Sequence, residues 1–109
     1  MTYVVDIDGT ICHKLCELKG QDYLEADPIP ERIDKINKLY DEGHTIIYLT
    51  ARGMGRSANN PTVAIQTFYK STQDQLKSWG AKYHHLMLGK PAADFYIDDK
   101  GVNADDFFE

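Results

Sequence analysis

The sequence is organised around the stretch Thr2-Tyr3-Val4-Val5-Asp6-Ile7-Asp8-Gly9-Thr10 near its start. The first part of this stretch is apolar and rich in β-branched and aromatic residues, which is typical of a central strand buried on both faces. Asp6 and Asp8 are two residues apart, so their side chains lie on the same side if the strand continues, and Gly9 permits a sharp exit of the chain. The stretch therefore predicts a buried first strand that ends in two neighbouring carboxylates.

The rest of the chain predicts an alternation of helices and strands. Apolar residues at helical spacing follow Pro30 and end before Gly43, and a second helical pattern covers residues 62–79. Further strands are predicted at residues 44–49, 85–88 and 95–97. This order indicates an α/β fold, a small Rossmann-like parallel sheet with flanking helices, and residues 1–109 are expected to form a single domain.

Polar residues that suit a phosphate or a metal ion flank the predicted strands. In open parallel sheets, ligands bind beyond the carboxyl ends of the strands. The residues at those positions are Asp6, Asp8, Gly9, Thr10, Thr50, Arg52, Lys90, Asp98 and Asp99. The forked guanidinium of Arg52 suits bidentate binding of a phosphate or carboxylate. An acidic pair alone is also common in a solvated loop or a helix cap. The functional interpretation of Asp6 and Asp8 therefore depends on the polar residues that flank the other strands.

Composition limits the classes of partner. The chain has 12 Lys and Arg against 17 Asp and Glu, a net charge of -5, without a basic cluster, so we expect no nucleic-acid partner. No apolar run approaches the roughly 20 residues of a membrane helix, and no secretory signal pattern opens the sequence. We therefore expect no membrane partner and a cytoplasmic location.

Two cysteines and a histidine lie close together in the sequence. The spacing of Cys12, His13 and Cys16 matches no standard zinc-ligand pattern. Two reduced thiols in a loop are the favoured interpretation, and a second metal at these three residues is left open.

Four short motifs resemble those of a known superfamily. Asp6-Ile7-Asp8-Gly9-Thr10 resembles the D-x-D-G-T signature that is the first of four motifs in the haloacid dehalogenase (HAD) superfamily. Leu49-Thr50 is similar to the second motif, Gly89-Lys90-Pro91 to the third, and Tyr96-Ile97-Asp98-Asp99 to the fourth. The motifs follow in the expected order across residues 3–100, and this order carries more weight than any motif alone.

The resemblance implies a magnesium-dependent phosphomonoester hydrolase. Asp6 would be the nucleophile and would form an aspartyl-phosphate, while Asp8 would act first as general acid and then as general base. The implied Mg²⁺ ligands are a carboxylate oxygen of Asp6, the backbone carbonyl of Asp8 and a carboxylate oxygen of Asp98, with Asp99 in an outer position. The expected phosphate contacts come from Gly9, Thr50, Arg52 and Lys90.

The chain is most similar to the short capsule-biosynthesis phosphatases of this superfamily. That likeness rests on residues 49–53 and on residues 89–100, and it implies a capless enzyme acting on a sugar or polyol phosphate. A heptose-bisphosphate phosphatase of the superfamily would carry a zinc loop of three cysteines and a histidine. This chain has only two cysteines and so departs from that pattern. The alternatives are a polynucleotide 3′-phosphatase and a catalytically silent binding module. The expected partner is a phosphorylated small molecule, and a homo-oligomer is left open.

Overall fold

The computed structural model describes residues 1–13, 23–55 and 57–109, and for Leu24 it describes the backbone alone. Its elements in chain order are β1 (Thr2–Val5), a 3-10 turn (Tyr23–Glu25), α1 (Pro30–Asp41), β2 (Thr45–Thr50), α2 (Pro61–Ser78), β3 (His85–Leu88) and α3 (Ala104–Phe108). None of the helices in the described part of the chain has both the length and the hydrophobicity that crossing a bilayer requires.

The three strands form one parallel sheet in the order β1-β2-β3. In its register, Val5 lies beside Tyr48, and Tyr48 lies beside Leu86. The strands are joined in sequence by α1 and α2, the long connections that neighbouring parallel strands need. The predicted α/β class and the predicted first three strands and two helices are confirmed.

Both long helices begin at a proline. Pro30 and Pro61 lack a backbone N–H, but the N–H groups of a first helical turn have no partner within the helix, so no hydrogen bond is lost. The side chain of Asn60 caps α2 by accepting the N–H groups of Thr62 and Val63. Each helix therefore begins after the loop that follows a strand, β1 for α1 and β2 for α2. Those two loops lie at the carboxyl ends of the strands.

The hydrophobic core lies on one face of the sheet. Val5, Tyr48 and Leu86 are buried there against residues that include Ile36 of α1 and Leu76 of α2. Successive crossovers in one direction place both helices on the same face. The opposite face is bare in the described structure, because Val4 is 58% exposed and Met87 is 51% exposed.

The strand predicted at residues 95–97 is not formed in the single chain, so that prediction is wrong. These residues have no regular structure, and Phe95 and Ile97 are 83% and 96% exposed. The reason is the connection: β3 ends at Leu88, and a parallel strand needs a crossover of roughly a dozen residues before it. Residues 89–94 are too few to provide it.

Candidate active site

The carboxyl ends of the three strands bring together Asp6, Thr50 and Lys90. Asp6 directly follows β1, Thr50 ends β2, and Lys90 lies just beyond β3. The backbone N–H of Lys90 donates to the carbonyl of Thr50 at 3.2 Å. The Nζ of Lys90 lies 3.8 Å from Oδ1 of Asp6. The sequence motifs after three different strands therefore meet at one edge of the sheet.

Asp6 is a partly buried carboxylate with a perturbed protonation equilibrium. Burial raises its pKa above the ordinary value, whereas the ammonium group of Lys90 acts in the opposite direction. The backbone N–H of Ile7 and the hydroxyl of Thr10 also favour the ionised form, and the Thr10 Oγ1 lies 3.5 Å from Oδ2 of Asp6. The neighbouring carboxylate of Asp8 raises the pKa further. Asp6 is thus an anion that the site stabilises only in part.

A tight turn places Asp8 beside Asp6. Gly9 has φ of +82°, a left-handed conformation that glycine adopts without strain, and its N–H donates to the carbonyl of Cys12 at 2.9 Å. The N–H of Ile11 donates to the carbonyl of Ile7 at 3.0 Å. The Gly9 N–H is therefore used within the turn, and a phosphate contact from Gly9 stays a prediction.

Asp8 is held by Arg52 in a bidentate ion pair. Nε of Arg52 donates to Oδ2 of Asp8 at 2.9 Å, and Nη2 donates to Oδ1 at 3.0 Å. Only 2% of Arg52 is exposed. This planar fork is the geometry in which guanidinium and carboxylate groups bind most specifically. The placement differs from the anion-binding role predicted for Arg52, because its guanidinium faces Asp8 rather than open solvent.

The other side of Arg52 is held by residues of α2 and of the 3-10 turn. Nη1 of Arg52 donates to Oε1 of Gln75 at 2.7 Å and to Oγ1 of Thr72 at 3.3 Å. Nε2 of Gln75 donates to the carbonyl of Tyr23 at 2.7 Å, and the Tyr23 ring lies 5.0 Å from the guanidinium carbon. Sequence reasoning missed these residues. The sequence carried no signal for them, because the burial of Thr72 and Gln75 in α2 is seen only in the structure.

Thr50 and Cys12 complete the surroundings of the two aspartates. The Thr50 hydroxyl is buried and accepts the backbone N–H of Arg52 at 3.1 Å, so its proton remains available for donation. The Cys12 thiol donates to Oδ1 of Asp8 at 3.4 Å. Burial and the Asp8 carboxylate raise the pKa of Cys12 to about 12, so Cys12 is a thiol here. Cys16, which the open zinc hypothesis needs, lies outside the described residues.

Asp98 and Asp99 are not brought to Asp6 in the single chain. Oδ1 of Asp98 accepts the N–H groups of Lys100 and Gly101 at 2.7 and 2.6 Å, and Asp99 pairs with Lys100 on the surface. In residues 1–13, 23–55 and 57–109, no group of three His, Cys, Asp or Glu side chains could hold a metal ion. Asp6 suits a hard cation, but in the described part of the chain Asp98, the second carboxylate that the Mg²⁺ prediction requires, is held elsewhere. The described residues of one chain therefore provide only part of the predicted Mg²⁺ site.

Comparison with known proteins supports the fold. No family model matches the sequence, and no curated protein matches it. A structural genomics target from Vibrio cholerae is 25% identical, with a TM-score of 0.84 over 98% of this chain and 86% of that protein. A D,D-heptose 1,7-bisphosphate phosphatase from B. bronchiseptica, crystallised with magnesium and phosphate, is 14% identical, with a TM-score of 0.55 over 85% of this chain. The chain spans about half (51%) of that phosphatase. The chain therefore shares its fold with both of these proteins.

Proposed function

We propose that the chain is a phosphomonoester hydrolase of the HAD type that forms an aspartyl-phosphate on Asp6. The observation that supports this most directly is the meeting of Asp6 with Lys90, at 3.8 Å, where three parallel strands end. A nucleophilic carboxylate beside a fixed ammonium group is the arrangement that phosphoryl transfer requires. The fold shared with a sugar-bisphosphate phosphatase supports the same reaction class.

The proposed reaction has two steps. An oxygen of Asp6 forms a bond to phosphorus, the bond from phosphorus to the leaving oxygen breaks, and Asp8 gives that oxygen a proton. A water molecule then attacks the phosphorus of the aspartyl-phosphate, its proton goes to Asp8, and the bond to Asp6 breaks. Inorganic phosphate leaves, and both aspartates return to their starting states. Arg52 fixes the orientation of the Asp8 carboxylate before substrate binds, whereas the first proton transfer requires Asp8 in its acid form, with one oxygen released from Arg52.

Lys90 and Thr50 would stabilise the charge that develops on the phosphoryl oxygens. Their backbones are joined by a hydrogen bond of 3.2 Å, so their positions are fixed relative to each other before substrate arrives. Preorganised donors of this kind are usually the largest single contribution to catalysis. Mg²⁺ remains the cofactor that we propose, because Asp6 is a hard oxygen ligand and the phosphatase of the same fold was crystallised with magnesium.

The proposed substrate is a phosphorylated sugar or polyol, in a cytoplasmic capsule-biosynthesis role. The net charge of -5 disfavours a polynucleotide, whose backbone would be repelled. The heptose bisphosphate named for the phosphatase of the same fold belongs to the same chemical class. A 3′-phosphorylated oligonucleotide included in a substrate screen tests this choice, and it should be hydrolysed more slowly than the best metabolite.

The test of the reaction is to trap the phosphorylated enzyme. We expect an acid-quenched reaction with a sugar phosphate and Mg²⁺ to carry phosphate on the peptide that contains Asp6, as mass spectrometry would show. Asp6→Asn should abolish both the label and turnover, whereas Asp74→Asn, a surface carboxylate change on α2, should leave both intact. Phosphate found on another residue would contradict the proposed nucleophile, and no hydrolysis of any phosphate ester would favour a silent binding module.

A further inference from the structure

Three features of the single chain are incomplete. β1 is an edge strand, so one side of its backbone has no strand partner among the described residues. The segment Phe95-Tyr96-Ile97 has the composition of a strand, yet it is exposed and unpaired. Among the described residues, no group of three metal-binding side chains includes Asp6 at the end of β1, and Asp98 and Asp99 directly follow the segment 95–97.

We propose that residues 95–99 of one chain pair as a parallel strand with the free edge of β1 in a second copy, so that Asp98 and Asp99 join Asp6 of the partner. The inference rests on the proposed function for the role of these aspartates, but the strand exchange itself does not. Exchange of an identical element between two copies is a common route to symmetric dimers. Addition of a strand to an exposed sheet edge is a recurrent mode of recognition.

The parallel direction follows from where the carboxylates must lie. In a parallel arrangement, Asp98 follows the added strand at the same edge where Asp6 follows β1. An antiparallel strand would carry Asp98 to the opposite end of the sheet. The proposed site therefore needs the added strand to run from the amino end of β1 to its carboxyl end.

The chain cannot place this strand on its own β1. Lys90 is fixed beside β2 by its hydrogen bond to the carbonyl of Thr50, which leaves residues 91–94 as the connection. The five Cα–Cα steps from Lys90 to Phe95 span at most about 18 Å. The start of the added strand lies about three strand spacings away, across β2 and β1, and one strand length back, a straight distance of roughly 20 Å before the path bends around β1. A second copy has no such restriction.

The contacts of the segment in the single chain are few. The hydroxyl of Tyr96 donates to the carbonyl of Pro91, and the Tyr96 ring lies 4.4 Å from Nζ of Lys90. The hydrogen bond to Pro91 is at the surface, where breaking it costs little, because water replaces it. Strand exchange would replace them with backbone hydrogen bonds and would bury Phe95 and Ile97.

The bare face of the sheet gives an independent reason to expect a second copy. Parallel sheets are normally covered on both faces, whereas Val4 and Met87 are exposed on one face of this sheet. Exposed apolar side chains on an uncovered sheet face are typical of a protein interface. A second copy of the chain is the occupant that also supplies the missing strand and carboxylates.

The first experiment measures assembly. Sedimentation equilibrium should give a dimer for the wild-type chain, and Ile97→Lys combined with Phe95→Glu should give a monomer, because charged side chains on the exchanged strand oppose pairing. The control is Ile65→Lys, an exposed apolar residue of α2, which should remain a dimer. A wild-type monomer at micromolar concentration, or a dimer that survives the double change, would overturn the proposal.

The second experiment asks which chain supplies Asp98. Asp6→Asn and Asp98→Asn chains are co-expressed with different affinity tags and purified through both tags. If Asp98 acts on the partner, each mixed dimer has one complete site of two, and we expect about half of the wild-type rate although each variant alone is inactive. No activity in the mixed dimer, with an active wild type, would overturn the exchange.

A third measurement separates this proposal from the proposed function. Calorimetric titration with Mg²⁺ alone should show binding to the wild-type dimer, and Asp98→Asn should weaken it at least about tenfold. The mixed dimer should bind Mg²⁺ tightly at one site only. If the wild-type chain hydrolyses no phosphate ester, the proposed function fails, and sedimentation and Mg²⁺ titration still decide the strand exchange. Equal Mg²⁺ affinity in the wild-type dimer and in the monomeric Phe95→Glu, Ile97→Lys variant would overturn the strand exchange.

Discussion

Arg52 donates two hydrogen bonds to the two carboxylate oxygens of Asp8, at 2.9 and 3.0 Å, and its guanidinium is buried behind them. The two residues are 44 positions apart and lie beyond different strands. This ion pair therefore ties the turn after β1 to the loop after β2. It fixes the orientation of the proposed acid and base before any substrate is present.

Arg52→Met should destabilise the fold by about 3–5 kcal/mol, because it leaves Asp8, Thr72 and Gln75 without their buried partner. Arg52→Lys should also be destabilised, since a point charge cannot reproduce the fork. Adding Asp8→Asn to Arg52→Met should cost less than the sum of the single changes, with a coupling of about 1–3 kcal/mol in a double-mutant cycle of urea unfolding.

The competing interpretation of Arg52 gives a different result. If its guanidinium mainly binds the substrate phosphate, Arg52→Met would raise KM for a sugar phosphate and leave the free energy of unfolding unchanged. Additive effects of the two changes on stability would therefore favour the original anion-binding prediction.

Asp8→Asn should slow the reaction in a way that depends on the leaving group. A sugar alkoxide needs a proton as it departs, whereas p-nitrophenolate does not, so the loss should be about 10²–10⁴-fold in kcat for a sugar phosphate and far smaller for p-nitrophenyl phosphate. The measurement is kcat for both substrates in both enzymes, with Asp74→Asn as the carboxylate control. Equal losses on the two substrates would remove Asp8 from the role of acid.

The sequence predicted the parts of this fold that depend on local pattern. Apolar runs and helical periodicity indicated three strands and two helices, and the rule that ligands bind where parallel strands end brought Asp6, Thr50 and Lys90 together. The pattern of residues 95–97 is equally strand-like, yet the strand does not form in one chain. Local composition specifies that a segment can pair, but the length of the connection decides with which strand.

The role of Arg52 could not be predicted for a related reason. A guanidinium two residues after a strand suits a ligand phosphate or an internal carboxylate equally well. The feature that distinguishes the two roles is the pair Thr72 and Gln75 in α2, which accepts hydrogen bonds from Nη1 of Arg52. That contact depends on how α2 packs on the sheet, and no spacing in the sequence reports it.

Gly53→Ala should destabilise the protein by about 2 kcal/mol through strain at the loop that follows β2. Gly53 has φ of +80°, and an added Cβ would lie 2.5 Å from Cδ2 of Phe68 and 3.2 Å from the Cα of Ala64. The matched control is Gly55→Ala, where an added Cβ has open space and the backbone is not left-handed, so stability should change by less than about 0.5 kcal/mol. Equal urea midpoints for the two variants would show that the loop adjusts freely around Gly53.

Lys90→Met should move the acid limb of the pH–rate profile to higher pH. Attack requires the carboxylate form of Asp6, whose pKa burial has already raised above the ordinary value, so the rate falls at a higher pH than for an exposed aspartate. Lys90 lowers that pKa, and its removal therefore raises it further. The acid limb of kcat/KM, measured in the free enzyme, should shift upward, and kcat/KM on its plateau should fall about 10²–10³-fold through loss of charge stabilisation. Lys82→Met, which removes a surface partner of Asp41, is the control and should leave the profile in place. An unchanged acid limb in Lys90→Met would show that Asp6 is not the group that must ionise.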